Sequence, residues 1–316
     1  MKLSEIRRIG VLGAGTMGHG IAQVFASRCY EVTLFDLVPE ALPKAIERIR
    51  RNLQQLQRKG LVSSHGIQET LSFIETTTDL SRAVRDAQFV VEAVPEDPAL
   101  KRDIFGKVET LCPEQSILAS NTSTIRIADI ACAARKPERI IGVHWMLAPH
   151  IRPLVEIIPA EKTSGETVEV TRGLIEKLDK IPIVAPDTPG FIVNRLQLGV
   201  FAQALKLLEQ GVSMEDIDKA WTHHLGPRYC FTGPCEAMDS MGLDTLYLAC
   251  LYLVSALDEP GLAPPEIVKK KVEAGEFGYK TGKGFYDYSG VSIDTRIDER
   301  NDQLIHLLEH LKIRVG

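Results

Sequence analysis

A chain of 316 residues is long enough for two domains, each with its own core. With 44% apolar and 25% charged residues and a net charge of −5, the composition is that of an ordinary globular protein. It lacks the basic excess that a nucleic-acid or membrane-surface partner favours. Six scattered cysteines, with no histidine at finger-like spacing, predict reduced thiols and no metal site. The opening Met-Lys-Leu-Ser-Glu-Ile-Arg-Arg has no long apolar core, so the expectation is a cytoplasmic protein without a spanning helix.

The first strand, Ile6 to Leu12, runs into Gly13-Ala14-Gly15-Thr16-Met17-Gly18, and His19 to Ser27 reads as a helix. A glycine loop that ends a strand and opens a helix fits a dinucleotide. Gly13 permits the turn, Gly15 lets backbone amides approach a pyrophosphate, and Gly18 packs the helix on the sheet. The next strand, Glu31 to Phe35, ends in Asp36, a carboxylate that can accept both adenosine ribose hydroxyls and repel a 2′-phosphate. NAD(H) is therefore expected over NADP(H), the competing reading being a plain glycine turn with a surface aspartate.

Pro39 opens a long helix with Ile46, Ile49, Leu53 and Leu56 on one face and a basic end at Gln57 to Gly60, suited either to a phosphate or to solvent at the helix C-terminus. Strands at Phe73 to Thr77, Phe89 to Val94 and Ser116 to Ala119, with a helix from Pro98 to Leu111, complete an alternation. It predicts an α/β, Rossmann-type, doubly wound parallel sheet that binds ligands at the carboxyl ends of its strands. Three polar groups fall at such ends: Glu92 with Glu96, Ser120 to Ser123, and His144. Ser123 either faces the site or caps the next helix.

Ile140 to Trp145 and Leu154 to Ile158 enclose a loop bounded by Pro149 and Pro153, predicting strand, turn, strand. Glu156 inside an apolar run needs a buried partner, and His144 on the facing strand is the nearest. Together they make either an oriented general base or a core histidine beside an edge carboxylate. After a helix from Thr163 to Asp179 and a strand from Ile181 to Val184, Pro186 to Gly190 forms a joint that divides residues 1–186 from an all-helical domain at 187–316. Helices are expected at Asn194 to Gln210, after the Ser213/Asp216 cap, at Glu236 to Leu257 and at Ile297 to Leu311. Their apolar content predicts a homodimer through this domain. Asn194 either caps its helix or reaches back across the cleft. Arg228, in a glycine- and proline-punctuated loop, either clamps a substrate anion or pairs with a nearby acid.

Read together, Gly13 to Gly18, Val90 to Glu96, Ser120 to Ser123, His144, Leu154 to Glu156, Asp187 to Arg195, Gly233-Pro234 and Lys280 to Tyr286 resemble the L-3-hydroxyacyl-CoA dehydrogenase family over nearly the whole chain. The resemblance implies an NAD(H)-dependent oxidoreductase acting at C3 of a small-molecule 3-hydroxy acid or acyl-CoA. His144 would be its acid/base, Glu156 the orienting carboxylate, and Ser123 and Asn194 would sit around the reacting oxygen. Glu96 and Lys101 match positions on the ribose and nicotinamide side of the cofactor. The family usually carries Asn-Pro two residues beyond the one after the histidine; here His144-Trp145-Met146-Leu147-Ala148 places Leu147 there and makes the expected pocket wall of Trp145, Met146 and Leu147 more apolar. Gly226 to Tyr229 looks like the λ-crystallin and L-gulonate dehydrogenase branch. Two alternatives follow: a reductase of bulky apolar ketones or cyclic imines, and a non-catalytic, crystallin-like nucleotide-binding protein.

Overall fold

A computed structural model describes residues 1–313, which form two compact units that divide between Phe201 and Ala202. In the first unit the elements are β1 (Arg8–Leu12), α1 (Gly18–Ala26), β2 (Glu31–Phe35), α2 (Ala41–Arg58), α3 (Ser64–Ser72), β3 (Ile74–Thr77), α4 (Leu80–Val84) and β4 (Phe89–Glu92). They continue with α5 (Pro98–Leu111), β5 (Ile117–Ser120), α6 (Ile127–Ala131), β6 (Ile140–Trp145), β7 (Leu154–Pro159), α7 (Gly165–Lys177), β8 (Ile181–Val184) and the start of α8 (Val193–Glu209). The strands make one sheet in the order β3-β2-β1-β4-β5-β6-β7-β8. Pairing is parallel as far as β6; β7 folds back antiparallel on β6, and β8 runs parallel to β7. The order reverses between β1 and β4, so a crevice opens at the carboxyl ends of those strands.

Alternation along each strand divides the core between the two faces of the sheet. Ile9, Val11, Phe89, Val91, Val143, Trp145, Val155 and Ile157 pack on one face with residues of α1, α2 and α7. Leu12, Val90, Leu118, Ile140 and Ile158 pack on the other with residues of α4, α5 and α6. His144 and Glu156 share the parity of Ile140 and Ile158, and they stand directly opposite each other in the β6–β7 register.

Three short helices, α3, α4 and α6, are additions to the predicted elements, and each is set by a cap rather than by a long apolar period. Ser63 accepts from Gly66 N (3.0 Å) and Asp79 from Ser81 N (2.9 Å). The α6 cap comes from far along the chain: Asp187 of the joint accepts from Ile127 N and Ala128 N at 2.6 and 2.8 Å. The two units divide inside α8, past the joint, because Ile192, Val193 and Asn194 are hydrogen-bonded to the sheet and its loops.

The second unit is helical, with α9 (Met214–Ala220), α10 (Gly226–Tyr229), α11 (Pro234–Met241), α12 (Leu243–Leu257), α13 (Glu266–Glu273) and α14 (Ile293–His310). Two sequence expectations change here. The apolar stretch from Glu236 to Leu257 is two helices meeting at 95° rather than one, because Gly242 adopts φ +99° at the break. Arg228 lies on a helical turn instead of in a loop, because the α9 helix continues without a break through a π-helical segment at Trp221–Leu225 into α10. The Lys280 to Tyr286 motif is held by buried Asp239, which accepts from Phe285 N (2.9 Å), Tyr286 N (3.0 Å) and the Tyr288 hydroxyl (2.8 Å). Among the described residues no single helix is long and apolar enough to cross a membrane, although the bent α11–α12 pair taken together has the length and composition. Leu248, Leu251, Tyr252 and Leu257 of α12 are exposed, as are Leu205 and Leu207 of α8.

Candidate active site

At the carboxyl ends of β1, β2, β4, β5 and β6 lies a cleft of about 940 Å³, lined within the first unit by the glycine loop, Asp36, Glu96, Ser123, His144 and Asn194, among others. Its floor is the loop after β1. Gly13 takes φ +104°, and a Cβ there would lie 2.5 Å from the Ala93 carbonyl oxygen. A Cβ at Gly18 would fall 1.7 Å from the Gly13 carbonyl oxygen, so only glycine lets α1 begin so close to the turn. Gly15 differs: nothing lies within 4 Å of its added Cβ, which would project into open space. Thr16 and Met17 line the cleft beside it. At the end of β2 the Asp36 carboxylate accepts from Ala14 N (2.8 Å) and Val38 N (2.9 Å), tying it to the glycine loop. An open glycine cradle at a helix N-terminus, with a carboxylate beside it, fits the pyrophosphate and adenosine ribose of NAD.

His144 lines the cleft at the end of β6, and Glu156 lies buried behind it. Their Nδ1 and Oε2 atoms are 2.6 Å apart, and Glu156 is fully buried. The second carboxylate oxygen accepts from Ile192 N (2.9 Å) and Val193 N (3.0 Å). Those amides are delivered by a tight turn in which both Gly190 and Phe191 have positive φ (+75° and +48°). Burial pushes the Glu156 carboxyl upward, but the bond to His144 and the two amide donors outweigh it and hold it below the usual range. Phe191 packs near the imidazole, with ring centroids 6.0 Å apart. Asn194 donates from its amide nitrogen to the Ser123 carbonyl at 2.7 Å, joining the start of α8 to the loop after β5. Thus Asn194 crosses to that loop instead of capping α8, and Ser123 is likewise no cap.

The Ser123 loop is itself held by Glu96. One Glu96 oxygen accepts from the Thr122 hydroxyl (2.6 Å), Ser123 N (2.9 Å) and the Thr124 hydroxyl (3.1 Å). Burial alone would raise this carboxyl; the hydrogen bonds from Thr122 and Ser123 and the Lys101 ammonium lower it to about 2. Lys101 is 1% exposed, with its ammonium 2.7 Å from buried Glu92 and 3.2 Å from Glu96. Instead of lining the cleft, it stands behind Glu96, because a buried ammonium needs carboxylates around it. Ser120 completes this layer, donating to Glu92 at 2.6 Å.

Trp145, Met146 and Leu147 all border the cleft, Leu147 being 62% exposed. The Trp145 side chain, 1% exposed, turns into the core 5.9 Å from Phe25, because the residue after His144 in a strand must face the other side of the sheet. Arg228 lies in the second unit, its guanidinium 5.8 Å from the Tyr229 ring centroid. Asn121, within the Ser120 to Ser123 group marked in the sequence, fixes the end of β6 by accepting from Trp145 N at 2.9 Å. Arg152, which also lines the cleft, carried no clear sequence signal, since a charged loop residue is usually just solvated.

Fold, glycine cradle and acidic β2 terminus define an NAD-dependent oxidoreductase. Residues 8–188 match the 3-hydroxyacyl-CoA dehydrogenase NAD-binding domain and residues 190–288 the 3-hydroxyacyl-CoA dehydrogenase C-terminal domain, so the chain belongs to that family, whose members act on CH–OH groups. The chain is 36% identical over 285 residues to a probable 3-hydroxybutyryl-CoA dehydrogenase of Bacillus subtilis (strain 168), covering 90% of this chain and 98% of that one. A crystal structure of a 3-hydroxyacyl-CoA dehydrogenase from Archaeoglobus fulgidus matches with a TM-score of 0.83 at 38% identity, covering 98% of this chain and all (100%) of the other. A 5-formyl-3-hydroxy-2-methylpyridine 4-carboxylate 5-dehydrogenase of Mesorhizobium japonicum is 32% identical, covering 95% of this chain and 96% of its own.

Proposed function

We propose that the protein interconverts a 3-hydroxyacyl-CoA and its 3-keto form, with His144 as acid/base and Glu156 as its positioning partner. The observation that carries this reading is the buried 2.6 Å contact between His144 Nδ1 and Glu156 Oε2 at the wall of a cleft that fits NAD. Bound NAD supplies hydride transfer to or from C3. With Nδ1 committed to the carboxylate, His144 presents Nε2 to the substrate oxygen. That nitrogen takes the hydroxyl proton during oxidation and returns it during reduction. Glu156, kept ionised by the amides of Ile192 and Val193, stabilises the imidazolium that results. Ser123 and Asn194 border the same space, and their polar groups hydrogen-bond the developing alkoxide. Glu96 shapes the Ser123 loop and faces the cofactor's ribose side; Lys101 acts through it. Asp36 takes the adenosine ribose hydroxyls and disfavours a 2′-phosphate.

A thioester substrate is supported by a second cleft of about 490 Å³ lined by His19, Arg48, Arg51, Asn52 and Arg58 along α1 and α2. His19 hydrogen-bonds the Gly15 carbonyl (2.7 Å), which places this cationic surface next to the glycine loop and suits it to the phosphates of coenzyme A. A second reading, reduction of a bulky apolar ketone or imine, is favoured by Leu147 alone, which puts an exposed isobutyl group in the cleft. NADH oxidation with acetoacetyl-CoA, an apolar aryl ketone and a cyclic imine separates the two: the thioester should be the preferred acceptor, and turnover of the imine alone would reverse the order. The exposed Leu248, Leu251 and Tyr252 of α12 support a homodimer formed through the helical unit. Sedimentation should give twice the chain mass, and Leu248→Glu should shift it to the monomer; a monomeric wild type would refute the dimer.

A further inference from the structure

We infer that Arg152 is a specificity residue that anchors a free carboxylate on the substrate, an inference that rests on the dehydrogenase reading of this cleft. Among the described residues that line the cleft, Arg152 is the sole lysine or arginine. The ion pairs that touch this lining, Glu96 with Lys101 and His144 with Glu156, leave it out. The two lining carboxylates are engaged elsewhere: Asp36 by the amides of Ala14 and Val38, and Glu96 by Lys101 and the Thr122 to Thr124 loop.

An exposed arginine is usually just solvated, but this one stands on a loop whose backbone is fixed at several points. Ala148 holds a left-handed conformation (φ +59°), and its carbonyl accepts from Ile151 N (2.9 Å) and Arg152 N (3.1 Å). Lys180, half-buried, donates its ammonium to the carbonyls of Pro149 (2.6 Å) and Arg152 (2.9 Å). Pro149 lies so close to α1 that a Cβ on Gly20 would stand 2.8 Å from its ring. The main chain of Arg152 is therefore fixed without using its guanidinium.

The neighbours define what such a cation would take. Leu147 and Ile151, on the same loop, are 62% and 56% exposed, so the wall offers apolar surface beside a guanidinium. A guanidinium binds a carboxylate through two parallel hydrogen bonds, and a short aliphatic stem ending in a carboxylate fits both features. A short, wholly apolar acyl group leaves the cation solvated and gains nothing from it, so the arginine favours a carboxylate-bearing substrate over an apolar one. The carboxylate comes either from C1 of an unesterified 3-hydroxy acid or from the far end of a 3-hydroxy dicarboxylic monothioester.

The test is steady-state NADH oxidation by the wild type and Arg152→Gln with acetoacetyl-CoA, the CoA monothioester of a 3-oxo dicarboxylic acid, and a free 3-oxo acid. Arg152→Gln should lower kcat/KM on the order of 10- to 100-fold, through KM, for a carboxylate-bearing substrate only. The KM for NADH and the rate with acetoacetyl-CoA should stay within about threefold of wild type, well below one bond to a charged group. The substrate that loses rate identifies the source of the carboxylate. No change, an equal loss on all three substrates, or a raised KM for NADH, which would assign the arginine to cofactor phosphates, overturns the inference. If the wild type turns over none of the three, the dehydrogenase reading fails separately. Calorimetric titration of the NADH-loaded proteins with 3-hydroxyglutarate then decides: binding lost in Arg152→Gln sustains the anchor, and equal or absent binding in both refutes it.

Discussion

Replacing Glu156 by glutamine tests the acid/base pair with little change in shape. The wild-type carboxylate accepts on both sides, from His144 Nδ1 at 2.6 Å and from Ile192 N and Val193 N at 2.9 and 3.0 Å. A glutamine has one accepting oxygen. Two backbone donors on one side claim it, so the NH₂ group turns toward Nδ1. His144 must then accept at Nδ1 and carry its proton on Nε2, the nitrogen that should take the substrate's proton. The negative charge that stabilised the imidazolium is also lost from a fully buried position. A wrong tautomer together with a lost buried charge costs about 4 to 5 kcal/mol of transition-state stabilisation, a drop in kcat of roughly a thousandfold to five-thousandfold. The assay is kcat for NADH oxidation with acetoacetyl-CoA, with NADH affinity and melting temperature as controls. Because the two amides keep their acceptor, both controls should stay close to wild type. A variant that retains kcat within about tenfold of wild type, one decade of rate, would refute the dyad.

The glycine loop gives a paired prediction. Gly18→Ala should disrupt loop and helix together and lower thermal stability, because its Cβ meets the Gly13 carbonyl oxygen at 1.7 Å; Gly15→Ala should leave stability unchanged yet weaken NADH binding on the order of 10-fold or more, because its Cβ enters the space for the pyrophosphate. Equal melting temperatures for the two variants, or undiminished NADH affinity in Gly15→Ala, would contradict the placement of the cofactor. Asp36→Ser should raise the KM for NADH and narrow the preference over NADPH by on the order of 10-fold, measured as the ratio of kcat/KM values. Glu96 makes a pH prediction. Its carboxyl is lowered from 4.5 to about 2, so its contribution to stability is complete above the higher value and is lost as pH falls toward the lower. Its side chain is 37% exposed, so solvent screening reduces the contribution to about 1 to 2 kcal/mol. The stability difference between wild type and Glu96→Gln should be constant above about pH 5 and shrink on acidification; a difference that grows in acid would refute the sign.

Much of this site is legible in the sequence wherever one strong local rule applies. A strand entering a glycine loop and ending in a helix needs no tertiary information, and β2 and α5 begin and end where pattern and capping place them. The β6–β7 pairing was also readable, because a buried glutamate facing a histidine-bearing strand has few other partners. The lapses have equally definite causes. Trp145 borders the cleft as expected, but its indole packs in the core near Phe25, because alternation sends neighbouring side chains to opposite faces. Lys101 was expected at the cofactor, but its burial depends on Glu92, a contact between β4 and α5 that no local period reports. The break at Gly242 is invisible to hydropathy, because the residues on both sides are apolar. Arg152 escaped notice because its significance lies in a partner it lacks, which only the arrangement of the cleft reveals.

The central claim is that His144 exchanges the proton at the substrate oxygen, and His144→Gln tests it most directly. NADH binding by the variant, followed by fluorescence, should match the wild type, since His144 stands on β6, which β4 and β5 separate from the glycine cradle after β1. Single-turnover oxidation of that bound NADH by acetoacetyl-CoA should slow by roughly a hundredfold to ten-thousandfold, the contribution of a positioned general acid. Unimpaired single-turnover hydride transfer in His144→Gln would contradict the account.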